Sequence, residues 1–394
     1  MFKAFPIAEL CTLISRGISP AYDGEGIPVL SQKCIRGNRV LFDVARITNP
    51  RKKKIPNEKI VCLYDVLVNS TGVGTLGRVA QVKELNGHIT VDSHVSIVRP
   101  DPKKIDPLFF GYAMIHNQPK IELMGEGATG QTELSRARLG SETYVPVPPL
   151  LTQQRIVRIL AAYDDLIENN QRRIKTLEAM ARAIYQEAVQ AGSNPAALRP
   201  LVECTYWRFI SENVSAYSGT KRYYATADVD GLAVTGHGID FLFAEKPSRA
   251  QKQPIPNSVW FARMKDTYKI AWYAAGDGRR AAETMLSSGF AGFEAVDPEL
   301  WPLLFLTVSS NEFHMQKDRY CTGATQMSLT NEGLARIEMP IPDDVDARAL
   351  GRATQPILRQ MLLLQEQVEN LRRTRDLLLP RLLSGELDVE TSAA

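Results

Sequence analysis

An internal repeat constrains this chain more than any other feature. Residues 128–134 read ATGQTEL and residues 323–329 read GATQMSL. Each string is followed by a hydroxyl residue (Ser135, Thr330), and four residues on by a leucine (Leu139, Leu334). A Pro-x-Pro comes next, at Pro146–Pro148 and at Pro340–Pro342, and then a long heptad-patterned stretch. The period is about 195 residues, half of the 394, so one structural unit is expected twice. Short Gly/Thr/Gln strings recur by chance; four features in one order do not.

The heptad stretches predict two long helices. In the first, over 151–191, Ile156, Leu160, Tyr163, Ile167, Asn170, Ile174, Leu177, Ala181 and Ile184 fall at alternating spacings of four and three. That is a coiled-coil seam with one polar position, Asn170, of the kind that can set register. The second, within 353–394, shows Ile357, Met361, Leu364, Val368, Leu371, Leu378 and Leu382, interrupted by Arg375. Pro380 is expected to kink or end it. Each apolar edge needs a partner, and the simplest partner is the other helix, antiparallel or parallel. About 33 helical residues at roughly 1.5 Å each make a rod of about 50 Å.

The segments before the helices, 1–150 and 192–352, are rich in β-branched and aromatic runs, as in 60–68, 88–99 and 258–273. Asn86-Gly87 has the composition of a hairpin turn. The expected fold is therefore α+β: two β-rich domains with twisted antiparallel sheets, separated by two long helices pairing as a coiled coil.

Catalytic patterns fail on context. Gly72-Val73-Gly74-Thr75-Leu76-Gly77 matches GxGxxG, but a dinucleotide site needs a helix directly after it. Here the β-prone Arg78-Val79-Ala80-Gln81-Val82 follows, predicting strand–loop–strand. A P-loop would need Lys and Ser/Thr where Arg78 and Val79 stand. No Asn/Asp-Pro-Pro-aromatic tetrad marks an amino-methyltransferase, and no Gly-x-Ser-x-Gly occurs. His88 and His94 lie six apart in strand-like sequence, where a metal pair competes with solvent-facing or satisfied histidines, and the latter is the better reading, so no metal is expected. The five scattered cysteines form no CxxC and suit a reducing compartment. MFKAFPIAEL lacks a signal-peptide core, and no run is long enough to span a membrane, so the expected location is the cytoplasm.

The net charge of +3 is too small to imply nucleic acid alone, because basic faces can hide in a near-neutral total. Local patterns are more telling. Arg51-Lys52-Lys53-Lys54 is a basic run suited to phosphate contact, or else a solvated loop. Lys221-Arg222 precede two tyrosines, and Arg279-Arg280 follow a Gly-x-Gly turn. Ser70, Thr71, Thr75 and Arg78 border a glycine loop able to approach a DNA backbone. Gln131 and Gln326 sit in the repeated loops and could pair with adenine. A shared element, however, suits a framework or backbone-contact role better than base reading.

Taken in order, these features resemble the specificity subunit of type I restriction–modification enzymes, the HsdS family. The resemblance runs the length of the chain. It rests on Asn69–Ala80 (NSTGVGTLGRVA), Val91–Val95 (VDSHV), Gly130–Ser135 (GQTELS), Pro148–Val157 (PPLLTQQRIV) and Leu378–Leu387 (LLPRLLSGEL). The second repeat departs from it, with Ile341-Pro342-Asp343-Asp344 and no Gln-Gln pair before Ile357. The resemblance implies a non-catalytic DNA reader. Residues 1–150 and 192–352 would be target-recognition domains, each reading one half of a split target, with the helices as a spacer. Two methyltransferase (M) subunits carrying S-adenosylmethionine would dock on the helices, and restriction (R) subunits using ATP and magnesium would join them. This chain would bind no cofactor itself. The alternatives are a DNA-reading subunit of another methyltransferase or restriction system, an oxidoreductase built on Gly72–Gly77, and a protein-binding helical scaffold.

Overall fold

The computed structural model describes residues 2–22, 24–126, 132–191, 196–236, 238–324 and 326–389. The chain divides into two compact units. Residues 1–167 and 370–394 form the first, and residues 168–369 form the second.

The first unit opens with β1 (Ala4–Pro6) and β2 (Cys11–Arg16), then β3 (Ile27–Leu30), β4 (Arg46–Thr48), β5 (Val66–Asn69), β6 (Val79–Gln81), β7 (Thr90–Val91) and β8 (Val95–Pro100). Its main sheet has the order β2-β8-β5-β6, all antiparallel. Val66, Leu67 and Val68 are buried on both faces, which a half-solvated strand would not tolerate. A second sheet, β4-β3-β7, contains one parallel pair, β3 with β7. Helix α1 (Pro107–Glu122) starts where the Asp106 carboxylate accepts from the Phe109 amide at 2.9 Å. It buries Phe109, Phe110 and Met114 on the main sheet. Helix α2 (Arg136–Glu142) and β9 (Tyr144–Pro146), paired with β1, lead into α3 (Leu150–Ala191).

The second unit rebuilds this plan. β10 (Ala197–Pro200) and β11 (Trp207–Phe209) come first. They are followed by β12 (Thr220–Tyr224), β13 (Ile239–Leu242), β14 (Ala250–Lys252), β15 (Ser258–Ala262), β16 (Ile270–Tyr273), β17 (Thr284–Ser287) and β18 (Phe290–Ala295). The main sheet, β11-β18-β15-β16, repeats the order of the first unit strand for strand. The other sheet, β13-β12-β17-β14, also carries one parallel pair, β12 with β17. Helices α4 (Trp301–Val308) and α5 (Asn311–Arg319) cover the main sheet, and α6 (Asn331–Leu334) and β19 (Glu338–Ile341) follow. β19 pairs with β10, as β9 does with β1. Trp272 stacks on Trp301 and Phe305, with ring centroids at 5.8 and 4.4 Å. The last helix is α7 (Asp344–Ser384).

The two long helices contribute to both units. In the first unit, Ile156 and Leu160 of α3 share a core with Leu379, Leu382 and Leu383 of α7. In the second, Ala181 and Tyr185 share one with Leu358, Met361 and Leu362. The N-terminal stretch of α3 thus meets the C-terminal stretch of α7, and the reverse, so the pairing is antiparallel. Ile167, Leu364 and Val368 of the expected seam are buried; Tyr163, Ile174, Leu177, Ile184, Ile357, Leu371 and Leu378 are half-buried. Both polar interruptions are answered. Asn170 Nδ2 donates to Gln367 Oε1 at 3.3 Å in the second unit, and Arg375 donates to Asp164 at 2.7 Å in the first. Asp164 also accepts from Tyr112 and Lys83, both at 2.7 Å, and these cations hold its carboxyl below the usual range against the opposing effect of burial.

Five expectations need correction. Asn86-Gly87 closes no hairpin: β6 pairs with β5, and β7 leaves for the other sheet. The sheets are not wholly antiparallel. The last helix begins at Asp344, not 353, because Asp343 caps it, its carboxylate accepting from the Asp346 amide at 2.9 Å, and Ala347 and Leu350 are buried. Pro380 does not end it, because the burial of Leu379, Leu382 and Leu383 offsets the lost backbone bond. The helices are also shared between the compact units and do not stand as domains of their own.

Candidate nucleic-acid interface

The repeated string proves to be a clasp. In the first unit the Leu134 amide donates to Ser70 O at 2.8 Å, and Arg16 Nη2 donates to Leu134 O at 2.9 Å. In the second the Leu329 amide donates to Arg263 O at 2.8 Å, and Arg263 Nη1 donates to Leu329 O at 2.9 Å. Ser135 caps α2 and Thr330 caps α6, their hydroxyls accepting from the amides of Arg138 and Gly333. Leu139 and Leu334 are buried beneath. The recurring residues thus hold the loop against the end of the main sheet, which explains why they recur.

In the first unit the clasp lies on the glycine loop between β5 and β6. A strand follows the loop, so no helix N-terminus faces it. Gly77 has φ +83°, and a Cβ there would lie 2.6 Å from the backbone of Glu122, so only glycine fits. Ser70, a candidate contact residue, is instead fully buried, with its hydroxyl 2.6 Å from that of Ser96. Thr75 donates to Gln32 Oε1 at 3.0 Å, and Arg78 donates to Gly74 O at 2.8 Å. Thr71 lies 2.7 Å from Nδ1 of the exposed His94. Arg51, Lys52, Lys53 and Lys54 are exposed in a turn held by Asn49, which accepts from the amides of Arg51 and Lys53. Gln131 lies outside the described residues.

In the second unit most of the expected cations are engaged internally. Arg222 grips Asp240 with two bonds of 2.8 Å, which raises the guanidinium and lowers the carboxyl. Arg279 donates to Glu283 at 2.8 Å. Arg280 donates to Trp272 O at 2.7 Å and lies over the Tyr273 ring. Lys221 donates to Gln253 Oε1 at 2.5 Å beside Tyr217, and burial lowers it. Gln326 is exposed, with Nε2 3.5 Å from Met264 Sδ.

Sequence reading passed over another cationic group in this unit: Arg249, Lys252 and Arg263. They are scattered single residues, so no run announces them. Among the described residues Arg263 bonds only neutral acceptors, Leu329 O and Asn331 Oδ1, and burial pushes it down. Among the described residues no group of three or more His, Cys, Asp or Glu could hold a metal, and no helix is long and apolar enough to cross a membrane.

This doubled sheet-and-clasp plan, with a heptad helix closing each repeat, defines the class: a two-module α+β protein. A family model described as "Type I restriction modification DNA specificity domain" matches residues 2–179. The type I restriction enzyme MjaX specificity subunit of Methanocaldococcus jannaschii is 19% identical over 338 residues, 80% of this chain and 76% of its own. The crystal structure of a type I restriction–modification S subunit from M. genitalium shares the fold, with a TM-score of 0.54 at 16% identity over 97% of this chain and 96% of that one. Residues 2–179 thus match the type I restriction–modification DNA specificity domain, and the chain as a whole is similar to a type I specificity subunit in sequence and to a solved S subunit in fold.

Proposed function

We propose that this chain reads DNA for a type I restriction–modification complex and is not itself catalytic. Each unit reads one half of a bipartite target, and the paired helices set the spacing between the halves. Two methyltransferase subunits dock on the helical region, and restriction subunits join the assembly. S-adenosylmethionine, ATP and magnesium then belong to those partners. The observation that carries this reading is the doubling itself: one strand order and one clasp occur twice, while the surface side chains around them differ. A shared framework with unlike surfaces is what two unlike half-sites require.

Exchange of residues 1–150 for the corresponding segment of a relative tests it. Single-molecule methylation sequencing should show one half-site changed and the other kept. Insertion of one heptad after Asn170 should lengthen the non-specific spacer. An unaltered target in both experiments refutes the reading.

A further inference from the structure

We propose that Arg249, Lys252 and Arg263 form the surface on which the second unit holds the phosphate backbone of nucleic acid. This rests on the reading of the chain as a DNA-specificity subunit and gives that reading a place. Arg249 precedes β14, Lys252 ends it, and Arg263 follows β15; Arg249 and Arg263 adjoin the turn between β17 and β18, while Lys252 pairs with Leu286 on β17. The Arg263 amide donates to Gly289 O at 2.9 Å, and the Ser288 amide donates to Arg249 O at 2.7 Å. The Arg249 guanidinium lies close enough to the same turn to meet a side chain placed at Gly289. Lys252 lies two residues from Ala250 on β14 and feels the positive charge of Arg263.

None of the three is neutralised by an ion pair among the described residues. Lys252 Nζ donates to Ser211 O at 3.2 Å, Glu212 O at 3.5 Å and Asn213 Oδ1 at 3.0 Å, with only the exposed Glu212 carboxylate acting from a distance. Arg263 is half-buried against Phe209, with the ring centroid at 6.0 Å. Its neutral partners orient the guanidinium without cancelling its charge. A half-buried cation without a counter-charge is costly, and an incoming anion relieves that cost. Fixed cations lose little freedom when they meet phosphate, and arginine matches its oxygens two at a time.

The first unit shows what a neutralised version looks like. There the arginine that reaches the clasp carbonyl, Arg16, forms an ion pair with Glu133. In the repeat Glu133 corresponds to Ser328. The second clasp therefore also has an arginine on its carbonyl, supplied from the end of β15 and not from the first strand of the main sheet, and lacks the carboxylate.

The test uses the full chain and a fluorescein-labelled duplex of mixed sequence, with anisotropy followed across a salt series. The double variant Arg249→Gln/Lys252→Gln should bind about tenfold more weakly, and its log–log salt slope should be shallower by about two. Ser328→Glu removes no cation and supplies the missing carboxylate; it should weaken binding several-fold while the thermal melt holds or rises. Arg279→Gln, whose parent guanidinium is engaged by Glu283, should bind as the wild type does. Wild-type affinity and slope in both patch variants would overturn the inference and leave the DNA reading standing. A wild-type chain with no salt-dependent binding of the duplex would overturn both.

Discussion

In the first unit Leu134 O takes a hydrogen bond from Arg16, and Glu133 answers the charge; in the second, Leu329 O takes one from Arg263, and Ser328 stands where the glutamate would be. The backbone geometry of the two clasps is alike. Their electrostatics are not. A framework bond to a carbonyl needs only a donor, so it survives in both units, while the charge carried by that donor is free to be cancelled or kept. The repeat therefore conserves shape and lets surface potential diverge.

The glycine loop should break the symmetry most. Gly77→Ala forces a Cβ into the backbone of Glu122 at positive φ and should cost about 2–4 kcal/mol. The counterpart loop of the second unit already carries Asp266 at φ +56°, so Asp266→Gly should change stability by less than about 1 kcal/mol. Hydrogen exchange resolved by segment should show the first loss confined to residues 1–167 and 370–394; a uniform loss would contradict it.

The two polar answers in the helical seam should also differ. Asp164→Ala strands Lys83, Tyr112 and Arg375 and should cost about 1–3 kcal/mol, discounted because the carboxylate is partly exposed. Asn170→Leu removes a single 3.3 Å bond and should be neutral or stabilising in denaturant titration. Equal losses from both would remove the distinction.

Acid should act on the units through different groups. Burial pushes His314 down to about 4, and both its ring nitrogens are buried without partners; Tyr268 lies edge-on at 4.5 Å, with Lys317, Asp318 and Arg182 around it. A histidine depressed on folding destabilises as pH falls, because the unfolded chain takes up a proton below about 6.5 that the folded chain refuses until about 4. The second unit should therefore lose about 1–2 kcal/mol between pH 7 and pH 5, and His314→Phe should flatten that dependence. The first unit has Asp164, whose lowered carboxyl keeps its contribution until the pH drops below the ordinary carboxylate range. Melting curves that lose both units at one pH would refute the assignment. The smallest effect is expected from Glu283→Ala, which removes an exposed partner of Arg279 and should leave the melting temperature unchanged.

The doubled plan was legible before any coordinates. Clasp, cap hydroxyl, buried leucine and heptad seam are short-range patterns, and each recurs in order. The candidate interface was legible only in part. Arg51–Lys54 are exposed as a run of like charge should be, whereas Arg222 and Arg280 turned out to serve their own unit. Asn86-Gly87 misled because a turn composition says where the chain bends, not which strand it bends toward.

Periodicity, capping and the repeat follow from spacings of a few residues, so the amino-acid order alone settles them. Whether a cation is cancelled depends on partners far off in the chain. Arg16 meets Glu133, Arg375 meets Asp164, and Arg263 meets no carboxylate at all among the described residues. Coulomb energy depends on distance in space and on burial, and folding brings those distances about without any local mark in the sequence.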